Sequence, residues 1–73
     1  MGNRAKRHVV GLADRIRSAR QGAHKTQKDI AINVQHAESS VRSWELGKSE
    51  PDLRTIVILA DYLGVTLDYL LRE

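Results

Sequence analysis

The chain has 73 residues, enough for one domain near the lower size limit for independent folding. It contains no cysteine and its three histidines lie in separate segments, which excludes disulfides and thiolate metal sites and disfavours a zinc site or other cofactor. The formal net charge is +3, and without a membrane-length apolar run or a signal peptide we expect a cytoplasmic protein.

The charge is unevenly distributed along the sequence. Residues 1–28 carry eight Lys or Arg and one acid, whereas residues 29–73 carry four Lys or Arg and eight acids. A basic end beside an acidic end suits a polyanionic partner, such as nucleic acid, that approaches from one side. A solvated basic face with no partner is the alternative that charge alone leaves open.

Residues 1–8 lack hydrophobic periodicity and are predicted to form a flexible basic arm before a domain over residues 9–73. The first helix is predicted to begin at Val9 or Leu12 and to end at Arg20, and Gly22 is a typical C-terminal stop. Apolar residues at helical spacing give this helix an inner face, formed by Leu12, Ile16 and Ala19.

The second predicted helix begins after Thr26, a favourable N-cap residue, and ends at a tight corner. Its inner face consists of Ile30, Ala31 and Val34. Gln35 and His36 form the corner, and we expect His36 to be half-buried there. This helix and the next, with a short corner between them, are typical of a helix-turn-helix.

The third predicted helix runs from about Glu38 to Leu46, with Val41 and Trp44 facing inward at i and i+3. Because Trp44 shares this inner face, we interpret it as a core residue rather than part of a ligand site. Gly47 is predicted to end the helix in the left-handed conformation that only glycine takes at little cost.

Two further helices follow Pro51, which prevents the chain from continuing as a helix. Asp52 is the predicted cap of the fourth helix and Gly64 its stop. The predicted core stripe of this helix is Leu53, Ile56, Ala60 and Leu63, with Val57 and Leu59 beside it. Thr66 caps a short last helix containing Leu67, Leu70 and Leu71. With no strand signal, the sequence predicts an all-α domain of five helices.

Five segments occur in the order and at the spacing of one known family: Leu12-x-x-x-Ile16-x-x-x-Arg20, Thr26-Gln27-x-x-Ile30-Ala31, Val41-x-x-Trp44-Glu45-x-Gly47-Lys48, Glu50-Pro51-x-Leu53, and Leu59-Ala60-x-x-Leu63-Gly64-Val65-Thr66-Leu67-Asp68-Tyr69-Leu70-Leu71. They cover about residues 10–71. The chain resembles the lambda-repressor-like, Cro-type (XRE family) helix-turn-helix domain of phage and bacterial regulators. The resemblance implies a compact five-helix fold and sequence-specific DNA binding.

By this resemblance the third helix is the recognition helix, and the side chains expected to reach base edges are Glu38, Ser39, Arg42 and Ser43. The expected phosphate contacts are Thr26, Gln27, Lys28, Ser40 and Lys48. Contacts by the basic arm, an alternative to a disordered tail, would involve Arg4, Lys6 and Arg7. The resemblance also implies an ion pair that locks the first helix to the third, between Arg20 and Glu45.

The corner departs from the family pattern at three consecutive positions. Gln35 stands where the family usually has glycine, at a left-handed corner residue, which costs a non-glycine residue about 1 kcal/mol. His36 replaces a small apolar residue, and Ala37 replaces the Ser or Thr cap of the recognition helix, at a cost of another ~1 kcal/mol. We therefore expect this corner to bend differently from the family pattern.

Arg42 is the leading candidate for base reading, because its guanidinium fork matches O6 and N7 of guanine. A phosphate contact, or an ion pair with Glu38 four residues earlier, is the alternative. The Glu38 carboxylate is repelled by phosphates unless it accepts from a cytosine amino group, and it would also disfavour other DNA sequences.

Ile58 and Tyr62 lie at i and i+4 on the fourth helix, outside the predicted core stripe. We interpret them as an exposed apolar pair that, with the last helix, forms a homodimer surface. Members of the family bind two-fold sites as dimers, so the expected partners are double-stranded DNA with an inverted repeat and a second copy of the chain.

The leading hypothesis is a non-enzymatic transcription regulator, a repressor, that acts in the bacterial or phage nucleoid. The sequence shows no nucleophile–base pair, paired carboxylates or phosphate-binding glycine loop, which argues against catalysis. The alternatives are an antitoxin, a restriction-modification controller, the DNA-binding part of a longer repressor, or a helix-turn-helix fold used for protein interaction. The operator, the sign of regulation and any effector are left open.

Overall fold

The structure is a computed structural model that describes residues 9–72, so the predicted arm over residues 1–8 lies outside the described residues. The described chain forms five helices and no strand, which confirms the all-α fold. The helices are α1 Leu12–Gly22, α2 Gln27–Val34, α3 Glu38–Glu45, α4 Leu53–Leu63 and α5 Leu67–Leu71.

Each of the five helices contributes one large side chain that is completely buried in a single core. These side chains are Ile16, Ile30, Val41, Leu59 and Leu70. Helix α1 packs on α3 and α5, α2 packs on α3 and α4, and α4 packs on α5. Trp44 is also buried, as predicted. Removal of this apolar surface from water is the main favourable term in folding a domain of this size.

Three helices begin at the caps that the sequence predicts. The hydroxyls of Thr26 and Thr66 and the carboxylate of Asp52 each accept a backbone N–H from the third residue of the helix. At α2 the Asp29 carboxylate also accepts the N–H of Thr26 at 2.9 Å, which completes a capping box. The backbone and hydroxyl of Thr26 hold the pKa of Asp29 below its usual value.

The end of α1 differs from the sequence prediction. The helix continues to Gly22 rather than Arg20, and the left-handed residue is His24, with φ of 59°. The N–H of Lys25 donates to the carbonyl of Arg20, and the N–H of His24 donates to that of Gln21. These two bonds satisfy the last carbonyls of the helix, so a non-glycine residue holds the left-handed position.

The predicted core stripe of α4 is wrong at two positions. Leu53 is 64% exposed, whereas Leu59, which was placed beside the stripe, is completely buried. The buried face follows i, i+3, i+4 and i+7 spacing through Ile56, Leu59, Ala60 and Leu63. Leu53 instead shares the solvent side of the helix with Val57, four residues later.

Candidate nucleic-acid interface

The corner between α2 and α3 keeps a left-handed residue although it has no glycine. Gln35 has φ of 60° and ψ of 46°, and the N–H of His36 donates to the carbonyl of Ala31 at 3.0 Å. Helix α3 then begins at Glu38, as predicted. Gln35 therefore takes the left-handed conformation that the family pattern implies, at the energetic cost of a non-glycine residue, and the expected difference in bend stays a prediction.

His36 is exposed rather than half-buried, but it is held in place by two contacts. The edge of its ring packs on Trp44, with ring centroids 5.2 Å apart and an interplanar angle of 73°. Its Nε2 lies 3.3 Å from the hydroxyl of Thr55 on α4. His36 thus connects the corner to the core and to α4, which compensates in part for the missing side-chain cap at Ala37.

The outer face of α3 presents polar side chains to solvent. Glu38, Ser39 and Arg42 are exposed, whereas Ser43 is half-buried and its hydroxyl lies 2.8 Å from that of Ser49. The structure thus brings the four predicted base-contacting residues to one side of α3, opposite Val41 and Trp44. Ser43 also has an intramolecular partner, so its hydroxyl is less available than the other three side chains.

Within residues 9–72 no ion pair joins Arg42 to Glu38. The intramolecular alternative for Arg42 is therefore not observed, and its guanidinium has no hydrogen-bond acceptor among the residues that the structure describes. A guanidinium has five N–H donors, and an exposed one on a polar helix face is suited to a bidentate acceptor from another molecule.

Leu46 also lies on this outer face, and sequence reasoning assigned it no role. It is 59% exposed and directly follows the last residue of α3. The sequence does contain a signal for this position. Leu46 follows Ser39 by seven residues, Arg42 by four and Ser43 by three, and residues at those spacings share one face of a helix. The outer face is therefore a polar surface with one apolar side chain at its C-terminal end.

The predicted phosphate contacts are divided between exposed and internally bonded side chains. Lys28 and Lys48 are exposed, and Ser40 is half-buried. Thr26 is exposed too, but its hydroxyl and its backbone N–H are both bonded to Asp29. Gln27 is half-buried and its amide donates to the Glu45 carboxylate at 3.1 Å. Because an amide nitrogen carries two N–H donors, Gln27 retains one for another acceptor.

Arg20 and Glu45, which the sequence pairs, lie in direct bidentate contact. The Nε of Arg20 donates to Oε2 of Glu45 at 2.6 Å, and its Nη2 donates to Oε1 at 3.0 Å. Glu45 is only 4% exposed, and the amide of Gln27 supplies a third donor. The hydrogen bonds to Glu45 raise the pKa of Arg20 above its usual value. This network joins α1, α2 and α3 and sets the position of the outer face of α3.

The remaining basic residues of α1 are also bonded within the protein. Arg15 donates to the carbonyls of Leu70 at 3.1 Å and Val10 at 2.8 Å. Arg17 pairs with Asp14 at 2.9 Å. The basic charge that the sequence shows near its beginning is therefore partly used for contacts within the protein, although Arg17 stays exposed.

With this geometry in place, comparison with known proteins identifies the family. The family described as helix-turn-helix matches residues 16–70, from the middle of α1 to α5. The chain belongs to the XRE-type helix-turn-helix family. Proteins of this helix-turn-helix family are DNA-binding transcriptional regulators, and the helix-turn-helix of this chain consists of α2, the corner and α3.

Three curated relatives come from Bacillus subtilis (strain 168). The uncharacterized HTH-type transcriptional regulator YqaE is 30% identical over 61 residues, which is 84% of this chain and 53% of the relative. The SPbeta prophage-derived regulator YonR is 32% identical over 61 residues, covering 84% and 56%. The HTH-type transcriptional regulator ImmR is 32% identical over 64 residues, covering 88% and 50%. The chain spans about half the length of these helix-turn-helix relatives.

The proposed dimer pair on α4 of this helix-turn-helix domain differs from the sequence interpretation at one residue. Ile58 is exposed, but Tyr62 is half-buried and packs against the core. The ammonium of Lys25 lies 5.3 Å from the centroid of the Tyr62 ring. Tyr62 is therefore partly covered, and the other exposed apolar residues of α4 are Leu53 and Val57.

No helix within the described part of the chain is long and apolar enough to cross a membrane. Residues 9–72 also contain no cluster of three or more side chains arranged to hold a metal ion.

Proposed function

We propose that this protein is a transcriptional repressor that binds an inverted repeat in double-stranded DNA as a homodimer, with α3 in the major groove. The observation that carries this proposal is the polar outer face of α3. It presents an exposed arginine that has no acceptor within residues 9–72, and it is held by the network of Arg20, Gln27 and Glu45 from three helices. A rigid, exposed polar helix face is what base reading in a groove requires.

Each side chain of the outer face takes a role that fits its chemistry. Arg42 donates both arms of its fork to a guanine, and Glu38 accepts from a cytosine amino group and disfavours other bases. Ser39 and Ser43 accept or donate at adjacent base edges. Further contacts to phosphates, which fix the register on the duplex, come from Thr26, Gln27, Lys28, Ser40 and Lys48.

The basic arm extends the contact beyond α3. Arg4, Lys6 and Arg7 lie outside the described residues, but the point where the arm joins the domain is defined. The backbone N–H of Val9 donates to the Glu50 carboxylate, in the loop that follows α3. An arm attached beside this loop reaches DNA that is bound by α3, and its charges add to the electrostatic part of the affinity.

The first experiment is selection of bound sequences from random duplexes, which gives the half-site and its spacing. The affinity of Arg42→Ala is then compared on the selected duplex and on unrelated DNA. We expect the specific affinity to fall by about 10- to 100-fold and the non-specific affinity by much less. Arg72→Ala, an equal charge loss just after α5, serves as the control. An equal loss on both duplexes for Arg42→Ala would show a phosphate contact instead of base reading.

The sign of regulation is tested separately with the selected site placed over a promoter. A helix bound in the major groove blocks access of other proteins to the same DNA, so expression of the reporter should fall when the protein is present. A rise would identify an activator. Because the DNA of a bacterium, and that of a phage inside its host, lies in the bacterial cytoplasm, this role implies a cytoplasmic, nucleoid-associated protein.

The exposed Glu38 on the outer face favours a second candidate, a helix-turn-helix domain that binds protein rather than DNA. A carboxylate beside phosphates is unfavourable unless it has a donor. Absence of salt-dependent binding to any duplex would support this alternative. DNA binding at a site that controls a toxin or a restriction enzyme would instead identify an antitoxin or a restriction-modification controller.

A further inference from the structure

The chain enters α1 through a tight turn over residues 9–12, here called the entry turn. The N–H of Leu12 donates to the carbonyl of Val9 at 3.2 Å, and Gly11 has φ of 81° and ψ of −2°. These are the angles of the third residue of a type II turn, which glycine adopts at little cost. A Cβ at Gly11 would lie 2.6 Å from Nη1 of Arg15, so the guanidinium packs directly against the turn.

The first two residues of the entry turn are bonded to side chains on both sides. The backbone N–H of Val9 donates to the carboxylate of Glu50, which lies in the loop after α3. The carbonyl of Val10 accepts from Nη2 of Arg15 at 2.8 Å, and Nε of the same guanidinium donates to the carbonyl of Leu70 at 3.1 Å. The entry turn is thus held to the loop after α3 on one side and to α5 on the other.

Apolar packing between the entry turn and the loop after α3 is incomplete. A cavity of about 140 Å³ lies between them, lined by residues that include Val9, Trp44 and Glu50. Atoms that line a cavity lack van der Waals partners on one side. A hydrogen bond to an ionised carboxylate is stronger than one between neutral groups. The bond from Val9 to Glu50 therefore contributes much of the attachment at this point.

Glu50 also lies close to the proposed DNA interface. It follows Lys48, an expected phosphate contact, by two residues. A carboxylate at this distance from phosphates is unfavourable through its charge alone. A favourable effect of Glu50 on DNA binding therefore has to act through its hydrogen bond, which fixes the point where the basic arm over residues 1–8 joins the domain.

We propose that Glu50 is a positioning residue for DNA binding, which holds the entry turn beside the loop after α3 and so directs the basic arm to the duplex that α3 binds. Arg15 supports this role by fixing the other side of the turn. A fixed attachment point lowers the cost of ordering the arm on DNA. This inference rests on the arm contacts of the proposed function.

The test is a matched pair of variants that remove the same charge. Glu50→Gln keeps an oxygen that accepts the N–H of Val9, whereas Glu50→Met, of similar length, has no strong acceptor. In fluorescence-anisotropy titrations of the full chain on the selected duplex, we expect Glu50→Met to bind about five-fold more weakly than Glu50→Gln. The slope of log affinity against log salt concentration should also be smaller by about one unit or more in Glu50→Met, because arm charges lose phosphate contacts.

A double-mutant cycle shows whether this effect passes through the arm. Both variants are also made in the chain in which Arg4, Lys6 and Arg7 are serine, and there their affinities should agree within about two-fold. Val9→Pro removes the donor of the same hydrogen bond and keeps every charge. It should show the loss of Glu50→Met, again only when the arm charges are present, and it decides the question if Glu50→Met does not fold by circular dichroism.

A loss that requires the arm charges supports positioning by Glu50. The same difference between Glu50→Met and Glu50→Gln in both backgrounds overturns the proposal, because Glu50 then acts on the loop itself. Equal affinities of the pair in the original chain overturn it as well. In either case, a protein that still prefers its selected duplex over unrelated DNA retains the proposed function.

Discussion

At the scale of single residues, Glu45 shows how a buried charge supports an exposed face. Burial of a carboxylate is unfavourable unless its oxygens are hydrogen-bonded. Here Arg20 and Gln27 supply three donors from two other helices, and no buried polar side-chain atom within residues 9–72 is without a partner. The hydrogen bonds of this carboxylate therefore hold the C-terminal end of α3 in place relative to α1 and α2. The exposed residues of α3 consequently have a defined position relative to those two helices.

Leu46 supplies a second test at the residue scale. It is the apolar member of the outer face of α3, and the prominent apolar group on base edges in the major groove is the thymine methyl. We expect Leu46→Ala to lower affinity by about four-fold for a selected duplex that contains thymine, on the basis of about 0.8 kcal/mol per buried methyl-sized group. The loss should disappear when deoxyuridine, which lacks the methyl, replaces thymine.

Competition binding with the two duplexes measures this effect as a double-mutant cycle. Ile32→Ala, which shortens another exposed aliphatic side chain, on α2, serves as the control and should affect both duplexes equally. If Leu46→Ala weakened binding to both duplexes by the same factor, Leu46 would not contact the methyl group.

At the scale of elements, the corner between α2 and α3 is strained, because a non-glycine residue, Gln35, occupies its left-handed position. Gln35 adopts the left-handed conformation because the bonds from the corner to α2 and the packing of His36 on Trp44 hold the two helices in place. The strain is small compared with these interactions, so the corner keeps its conformation.

Gln35→Gly should therefore raise the free energy of unfolding by up to about 1 kcal/mol, because glycine adopts this conformation without strain and loses part of the gain through its freedom in the unfolded chain. Urea unfolding measures the change. Ser18→Gly, at an exposed position within α1, should instead lower the free energy of unfolding by about 0.5 kcal/mol. A decrease for both variants would show that the Gln35 side chain itself stabilises the corner.

At the scale of the whole molecule, some of the basic residues among the first 28 are used within the protein. Arg15 and Arg20 are bonded to protein acceptors, and Lys25 lies over the Tyr62 ring. Arg17 pairs with Asp14 at the surface but stays exposed, so the charges left for phosphate contacts are those of Arg17, Lys28 and the arm. The arm supplies three of these five charges, so the proposed electrostatic attraction to DNA depends largely on it.

Replacement of Arg4, Lys6 and Arg7 by serine tests this dependence without shortening the chain. If all three contact phosphates, the slope of log affinity against log salt concentration should fall by about three units. The slope is obtained from binding at several salt concentrations. Arg72→Ser, which removes one exposed charge just after α5, should leave the slope unchanged. An unchanged slope in the triple variant would show that the arm does not contact DNA.

The sequence by itself determined the local features of this protein. Caps at Thr26, Asp52 and Thr66 were predicted correctly because each depends on a residue and the N–H groups that directly follow it. The inner faces of α1, α2 and α3 were predicted for a similar reason, since apolar periodicity within a helix specifies its buried side. The five family segments predicted the family correctly, because their order and spacing can also be read directly along the chain.

Only the tertiary structure decided which neighbour covers each remaining side chain. Both leucines of α4, Leu53 and Leu59, fit an apolar stripe, and packing against α2 and α5 placed Leu59 inside and Leu53 outside. Lys25 partly covers Tyr62, and Leu70 supplies a carbonyl to Arg15 from 55 residues away. Such contacts join distant parts of the chain, so no local pattern contains them. They determine which charges and apolar surfaces are left for a partner.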